Sequence, residues 1–96
     1  MRPSAALERH REEIRRMAES HRLTNPRVFG SVLHRLDRED SDLDILVDPS
    51  QEATLLNVGA LQVALELLTG VRVDVQTPGA LPPHLRDKIL SEAKPV

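Results

Sequence analysis

Hydrophobic positions change their spacing several times along the 96-residue chain, and each change marks an element. Between residues 5 and 21, Leu7, Ile14, Met17, Ala18 and His21 fall near one face at helical spacing. Arg9, Glu12, Glu13, Arg16 and Glu19 cover most of the rest, so the stretch predicts an amphipathic helix, capped by Ser4, with one stripe on a sheet. Asn25-Pro26 should break it, because proline restricts the residue before it. Arg27-Val28-Phe29 then reads as a short strand ending at Gly30. Val32, Leu33 and Leu36 form the inner face of a short helix starting at Ser31. Residues 38–40 are a polar loop, residues 41–47 a second strand, and Asp48-Pro49-Ser50 a turn.

Residues 53–69 predict a second long helix, closed by Gly70. It is apolar over most of its circumference, with only Asn57, Gln62 and Glu66 as a polar strip. Either more than one face is buried or one flank is a docking surface. Val71, Val73 and Val75 alternate with Arg72 and Asp74, the period of a third strand. Pro78-Gly79 is a turn, and Pro82-Pro83 opens a last helix that packs through Leu85, Ile89, Leu90 and Ala93. The pattern predicts one α/β (α+β) domain over residues 1–96, a small sheet of about three strands with about four helices.

Composition narrows the chemistry. Phe29 is the only aromatic residue, so the core must be aliphatic. Cysteine is absent, which removes disulfides, thiolate metal sites and cysteine nucleophiles together. A formal net charge of −2 gives no global field for nucleic acid, and a single ring offers no stacking platform for bases. No apolar stretch approaches the ~20 residues of a membrane span, and the charged N-terminus does not resemble a signal peptide. The expectation is a cytoplasmic protein without membrane or nucleic-acid partners.

The candidate chemistry gathers between Val28 and Pro49. Asp42 and Asp44 are two apart, so on a strand both carboxylates leave the same face while Leu43 points into the core. Two like charges held together favour a divalent cation between them. Oxygen donors of this kind suit magnesium, which fills its shell with water and substrate phosphates. Gly30-Ser31 lies at a strand-to-helix turn, where free N–H groups receive phosphate. Asp74 lies on a later strand. If that strand adjoins the first two aspartates, three carboxylates converge and two metals can bind. The four histidines show no metal-ligand spacing.

Gly30-Ser31, then Ser41-Asp42-x-Asp44, then Asp74 resembles the signature of the DNA polymerase β-like nucleotidyltransferases. Length and element order resemble the minimal nucleotidyltransferases, over nearly the whole chain, and the ending from Ile89 to Val96 looks like that group's C-terminus. The resemblance implies two Mg2+ ions and ATP as substrate. It implies Gly30, Ser31 and Ser41 as nucleotide-binding residues, and Asp42, Asp44 and Asp74 as catalytic metal ligands. It also implies a partner, a HEPN-domain toxin, to whose tyrosine hydroxyl AMP is transferred by the nucleotidyltransferase as antitoxin. Family members commonly carry Ala-Arg-Gly where this chain has Leu33-His34-Arg35.

Two other functions are compatible with the same residues. One is a non-catalytic antitoxin that neutralises its partner by binding. The other is a nucleotidyltransferase with a small-molecule or RNA acceptor, which at this length would need a partner or second subunit, in a homo- or hetero-oligomer, to complete the acceptor site.

Overall fold

In the computed structural model, which describes residues 1–96, the elements run α1 (Pro3–Ser20), β1 (Leu23–Phe29), α2 (Gly30–Leu33), β2 (Leu43–Pro49), α3 (Leu55–Thr69) and β3 (Val73–Gln76), followed by a 3-10 turn (Pro78–Ala80), α4 (Pro83–Glu92) and β4 (Lys94–Pro95). The sheet order is β3-β2-β1-β4. β1 runs antiparallel to β2 and β4, whereas β2 and β3 are parallel, joined by α3 as the crossover such a pair requires. The expected small α/β sheet with four helices is present. The sheet has four strands rather than about three, because β4 spans two residues, too few to show a period.

Alternation along β2 sorts the sheet into two faces. Leu43, Ile45 and Val47 are fully buried beneath α1 and α3, with Ile14, Leu61 and Leu65. Asp44, Leu46 and Asp48 leave by the other face, where Leu46 packs with Phe29 and Leu81. Ile89 and Ala93 close that smaller cluster, so α4 lies against the second face of the sheet. Arg86 holds the connecting turn by donating to the carbonyls of Pro78 (2.9 Å) and Leu81 (3.1 Å).

Several boundaries differ from expectation for identifiable reasons. Helix α1 starts at Pro3, and Ser4 is not its cap: the Ser4 backbone N–H donates to Asp37 Oδ2 at 2.9 Å. A carboxylate from a distant loop thus serves an otherwise orphaned donor. Strand β1 begins four residues before Arg27 and contains Asn25-Pro26 rather than starting after it. Its register with β2 shifts between Thr24 and Arg27, with Asn25 at φ +52°, so a bulge accommodates the proline's missing N–H. Asp48-Pro49 belongs to β2, not to a turn, and Arg27 grips Asp48 in a fork of 3.0 and 3.1 Å across the two strands. Leu36, expected on an inner face, is exposed.

Helix α3 is capped by a reciprocal pair: Thr54 Oγ1 accepts from the Leu56 N–H, and Asn57 Oδ1 accepts from the Thr54 N–H at 2.8 Å. Only Leu61, Leu65 and Thr69 of this helix are buried. Leu55, Leu56 and Leu67 remain 84, 83 and 83% exposed. Of the two expectations for this helix, burial on several faces is overturned, because the sheet offers it one surface only.

Candidate active site

Parallel pairing of β2 with β3 places Leu43 beside Val73, Asp44 beside Asp74 and Ile45 beside Val75. The valines face the core, so Asp44 and Asp74 face the opposite side together. Asp42 lies just before β2 and has the same parity. Its Oδ1 forms an ion pair with Arg72 Nε at 3.1 Å, and Arg72 donates a hydrogen bond to the Asp40 carbonyl. Asp74 is held from within its own strand, where Gln76 Nε2 donates to Asp74 Oδ1 at 2.9 Å.

Strand β1 brings the glycine turn to this cluster. Phe29 pairs with Asp44, and Gly30 follows at φ +71°. A Cβ on Gly30 would run into Asp44 Oδ2 and lie 3.1 Å from Asp44 Cγ. Glycine is required here twice, for the left-handed backbone and for the close approach of the carboxylate. Helix α2 is a single turn of four residues. Its N–H groups, rather than a long helix dipole, are what the turn offers an anion.

The electrostatics follow from this crowding. Partial burial pushes the Asp44 carboxyl up to about 6, and the charges of Asp74 and then Asp42 push in the same direction. An all-oxygen, mutually repelling donor set on one sheet face suits a hard divalent cation, which would relieve the repulsion. Asp44 and Asp74 are brought together directly, while Asp42 is turned onto Arg72. No three acidic or histidine side chains converge closely enough to form a ready cage.

The remaining candidates are placed as follows. Ser31 occupies the first turn of α2 beside Gly30. Ser41 Oγ accepts from the Arg38 N–H at 2.8 Å, shaping the loop that delivers Asp42. His34 lies away from the carboxylates, its Nε2 3.0 Å from Glu92 Oε2. Arg35 lines a separate cleft with Leu7, Arg11 and Lys94, and keeps a left-handed φ of +58°. Sequence reasoning did not single out Gln76, although its position two residues after Asp74 on one strand puts both on the same face. A cleft lined by Phe29, Asp74, Gln76, Leu81, Leu85 and Ile89 opens beside the carboxylates. No helix is long and apolar enough to cross a membrane.

Known proteins resemble this chain in sequence and in fold. Residues 7–96 match the model of the nucleotidyltransferase domain. The protein adenylyltransferase MntA of Thermococcus cleftensis is 36% identical over 86 residues, 90% of this chain and 84% of that protein. A provisionally named protein adenylyltransferase of Methanocaldococcus jannaschii is 38% identical over 73 residues, 76% of this chain and 78% of that one. A solved structure of a provisionally assigned minimal nucleotidyltransferase superposes with a TM-score of 0.86 at 43% identity, covering 97% of this chain and 95% of that chain. The crystal structure of a toxin–antitoxin with AMP-PNP shares the fold, with a TM-score of 0.70 at 18% identity over 83% of this chain and 66% of that one. The chain belongs to the nucleotidyltransferase family, and its sheet, length and element order are those of a minimal nucleotidyltransferase.

Proposed function

We propose that this chain, as a single minimal domain over residues 1–96, transfers AMP from ATP to a hydroxyl of a protein partner. The acceptor is a tyrosine of a HEPN-domain toxin, and the chain acts in the cytoplasm as its antitoxin. The observation that carries this reading is the in-register pair Asp44 and Asp74 on one sheet face, against the Gly30 turn and next to Asp42. The protein adenylyltransferase names of two relatives, and the toxin–antitoxin context of a structural neighbour with AMP-PNP, support the same choice.

In this reading Gly30 and Ser31 bind the triphosphate through the backbone and hydroxyl of the turn, and Ser41 fixes the loop that carries Asp42. Asp42, Asp44 and Asp74 are the residues that would hold magnesium, which would supply charge neutralisation for the carboxylates and phosphates and lower the proton affinity of the acceptor hydroxyl. The donor chemistry fits, since all are carboxylates and Gly30 leaves space for one of them. The acceptor oxygen attacks the α-phosphorus, the bond to the bridging oxygen breaks, and pyrophosphate leaves. Gln76 occupies Oδ1 of Asp74, leaving Oδ2 to take the hydroxyl proton. The exposed apolar flank of α3, with Leu55, Leu56 and Leu67, is the surface on which the partner docks.

Incubating the protein and its partner with labelled ATP and magnesium tests this reading. Label on the partner, lost in Asp42→Asn, is the expected result, and no difference between variant and wild type would sink it. Neutralisation by binding alone is favoured by one observation, the pairing of His34 with Glu92 away from the carboxylates. In that case Asp74→Ala rescues cells as well as the wild type.

A further inference from the structure

A nucleoside triphosphate entering this site brings negative charge to a face that already carries Asp42, Asp44 and Asp74, and a cationic side chain there would offset part of it. Several basic side chains of the neighbouring elements are engaged elsewhere. Arg27 is committed to Asp48 by a two-pronged ion pair. Arg86 is spent on the carbonyls of Pro78, Gly79 and Leu81. His34 pairs with Glu92, and Arg35 lines the cleft shared with Leu7 and Arg11. Arg72 alone among them touches a candidate carboxylate, through Nε to Asp42 Oδ1 at 3.1 Å. Its side chain is 71% exposed, so it turns without disturbing the core.

We infer that Arg72 is the nucleotide-binding cation of this site, and that it holds Asp42 as a placeholder until metal and ATP arrive. Resting on the nucleotidyltransferase reading above, this assigns the chain a triphosphate contact at a residue just before β3. Its guanidinium is always charged, and the N–H groups it can present to a carboxylate can equally be donated to a phosphate oxygen. In the free protein it neutralises Asp42 and restrains that carboxylate. With a divalent cation held by Asp42, that carboxylate would no longer need Arg72, whose guanidinium could then donate to an oxyanion of the triphosphate. Asp40, whose carbonyl accepts from the same side chain, tethers the loop end of this exchange.

The inference makes opposite predictions for the two ligands. Calorimetric titration of Arg72→Ala with Mg2+ alone should show binding about two- to fivefold tighter than wild type, since an exposed competing ion pair has gone. Titration with ATP in saturating Mg2+ should show binding about tenfold or more weaker, the loss of a charged hydrogen bond. Arg72→Lys should recover part of the ATP affinity. Circular dichroism on each variant checks that the fold is intact. Equal ATP affinity in Arg72→Ala and wild type overturns the inference, as does unchanged Mg2+ affinity. If the wild type itself binds no ATP in Mg2+, this inference falls together with the reading on which it rests. If ATP binds equally to both proteins, only the role of Arg72 falls.

Discussion

Asp44 and Asp74 stand opposite each other on neighbouring parallel strands, and their mutual repulsion adds to partial burial in raising the Asp44 carboxyl to about 6. Between pH 3.8 and about 6 the folded, metal-free protein therefore retains a proton that the unfolded chain has lost. The stability this proton confers is complete below that window and disappears as pH rises through it. Solvent reaches part of Asp44, so the expected loss is discounted to about 1–2 kcal/mol. Urea unfolding in a chelator at pH 4, 5, 6 and 7 measures it. Asp44→Asn should flatten the profile and be the more stable protein at pH 7. A variant with the wild-type slope would show that Asp44 is not the source.

Magnesium should reverse the same penalty. A cation that binds only the folded state stabilises by mass action, about 2.7 kcal/mol at a hundredfold excess over Kd. The melting temperature at pH 7.5 is expected to rise with Mg2+ in wild type and to stay flat in Asp44→Asn/Asp74→Asn.

Gly30→Ala places a methyl group against the Asp44 carboxylate at a residue with φ +71°. The left-handed backbone alone costs about 1–2 kcal/mol, and the collision adds to it. We expect a loss of about 2 kcal/mol or more in urea unfolding. Asp44→Ala in the same chain removes the colliding oxygens and should recover part of it, so a double-mutant cycle reads the contact directly. Additive effects would mean that the two residues do not meet.

Arg35 carries a left-handed φ of +58° without being glycine. Arg35→Gly removes that strain, against the larger entropy glycine has in the unfolded chain, for a net gain of about 0.5–1 kcal/mol. Arg35→Ala keeps the strain and should show no such gain. Equal midpoints for all three proteins would place the strain elsewhere.

Leu56 and Leu67 are each 83% exposed on α3. Leu56→Glu/Leu67→Glu should change the stability of the isolated chain by no more than about 0.5 kcal/mol per site. Titration of the proposed protein partner should then show affinity reduced by tenfold or more, because truncating or charging an apolar anchor costs about 2 kcal/mol or more. Unchanged affinity would move the docking surface off α3.

Much of this protein is decided by local pattern. The 3.6-residue period places α1, a long apolar run closed by Gly70 places α3, and the two-residue period places Ile45, Val47, Val73 and Val75 inward. The same period turns Asp44 to the face opposite Leu43 and Ile45, whatever the strand's neighbours are, while Asp42 falls just before the strand begins. The composition alone requires an aliphatic core and excludes thiol chemistry.

Tertiary structure decided what depends on contacts distant in sequence. Asp74 faces Asp44 only because β2 and β3 pair in parallel at that register, a choice made by α3 and the shared core rather than by either strand. The bulge that keeps Pro26 inside β1, and the pairing of β4 beside it, exist only once β2 and the C-terminus are in place. Exposure of α3 likewise follows from the small sheet beneath it, which can cover one stripe of a helix that is apolar nearly all round. A short-range pattern fixes the direction of a side chain through backbone geometry; what that side chain meets is set by the packing of the whole chain.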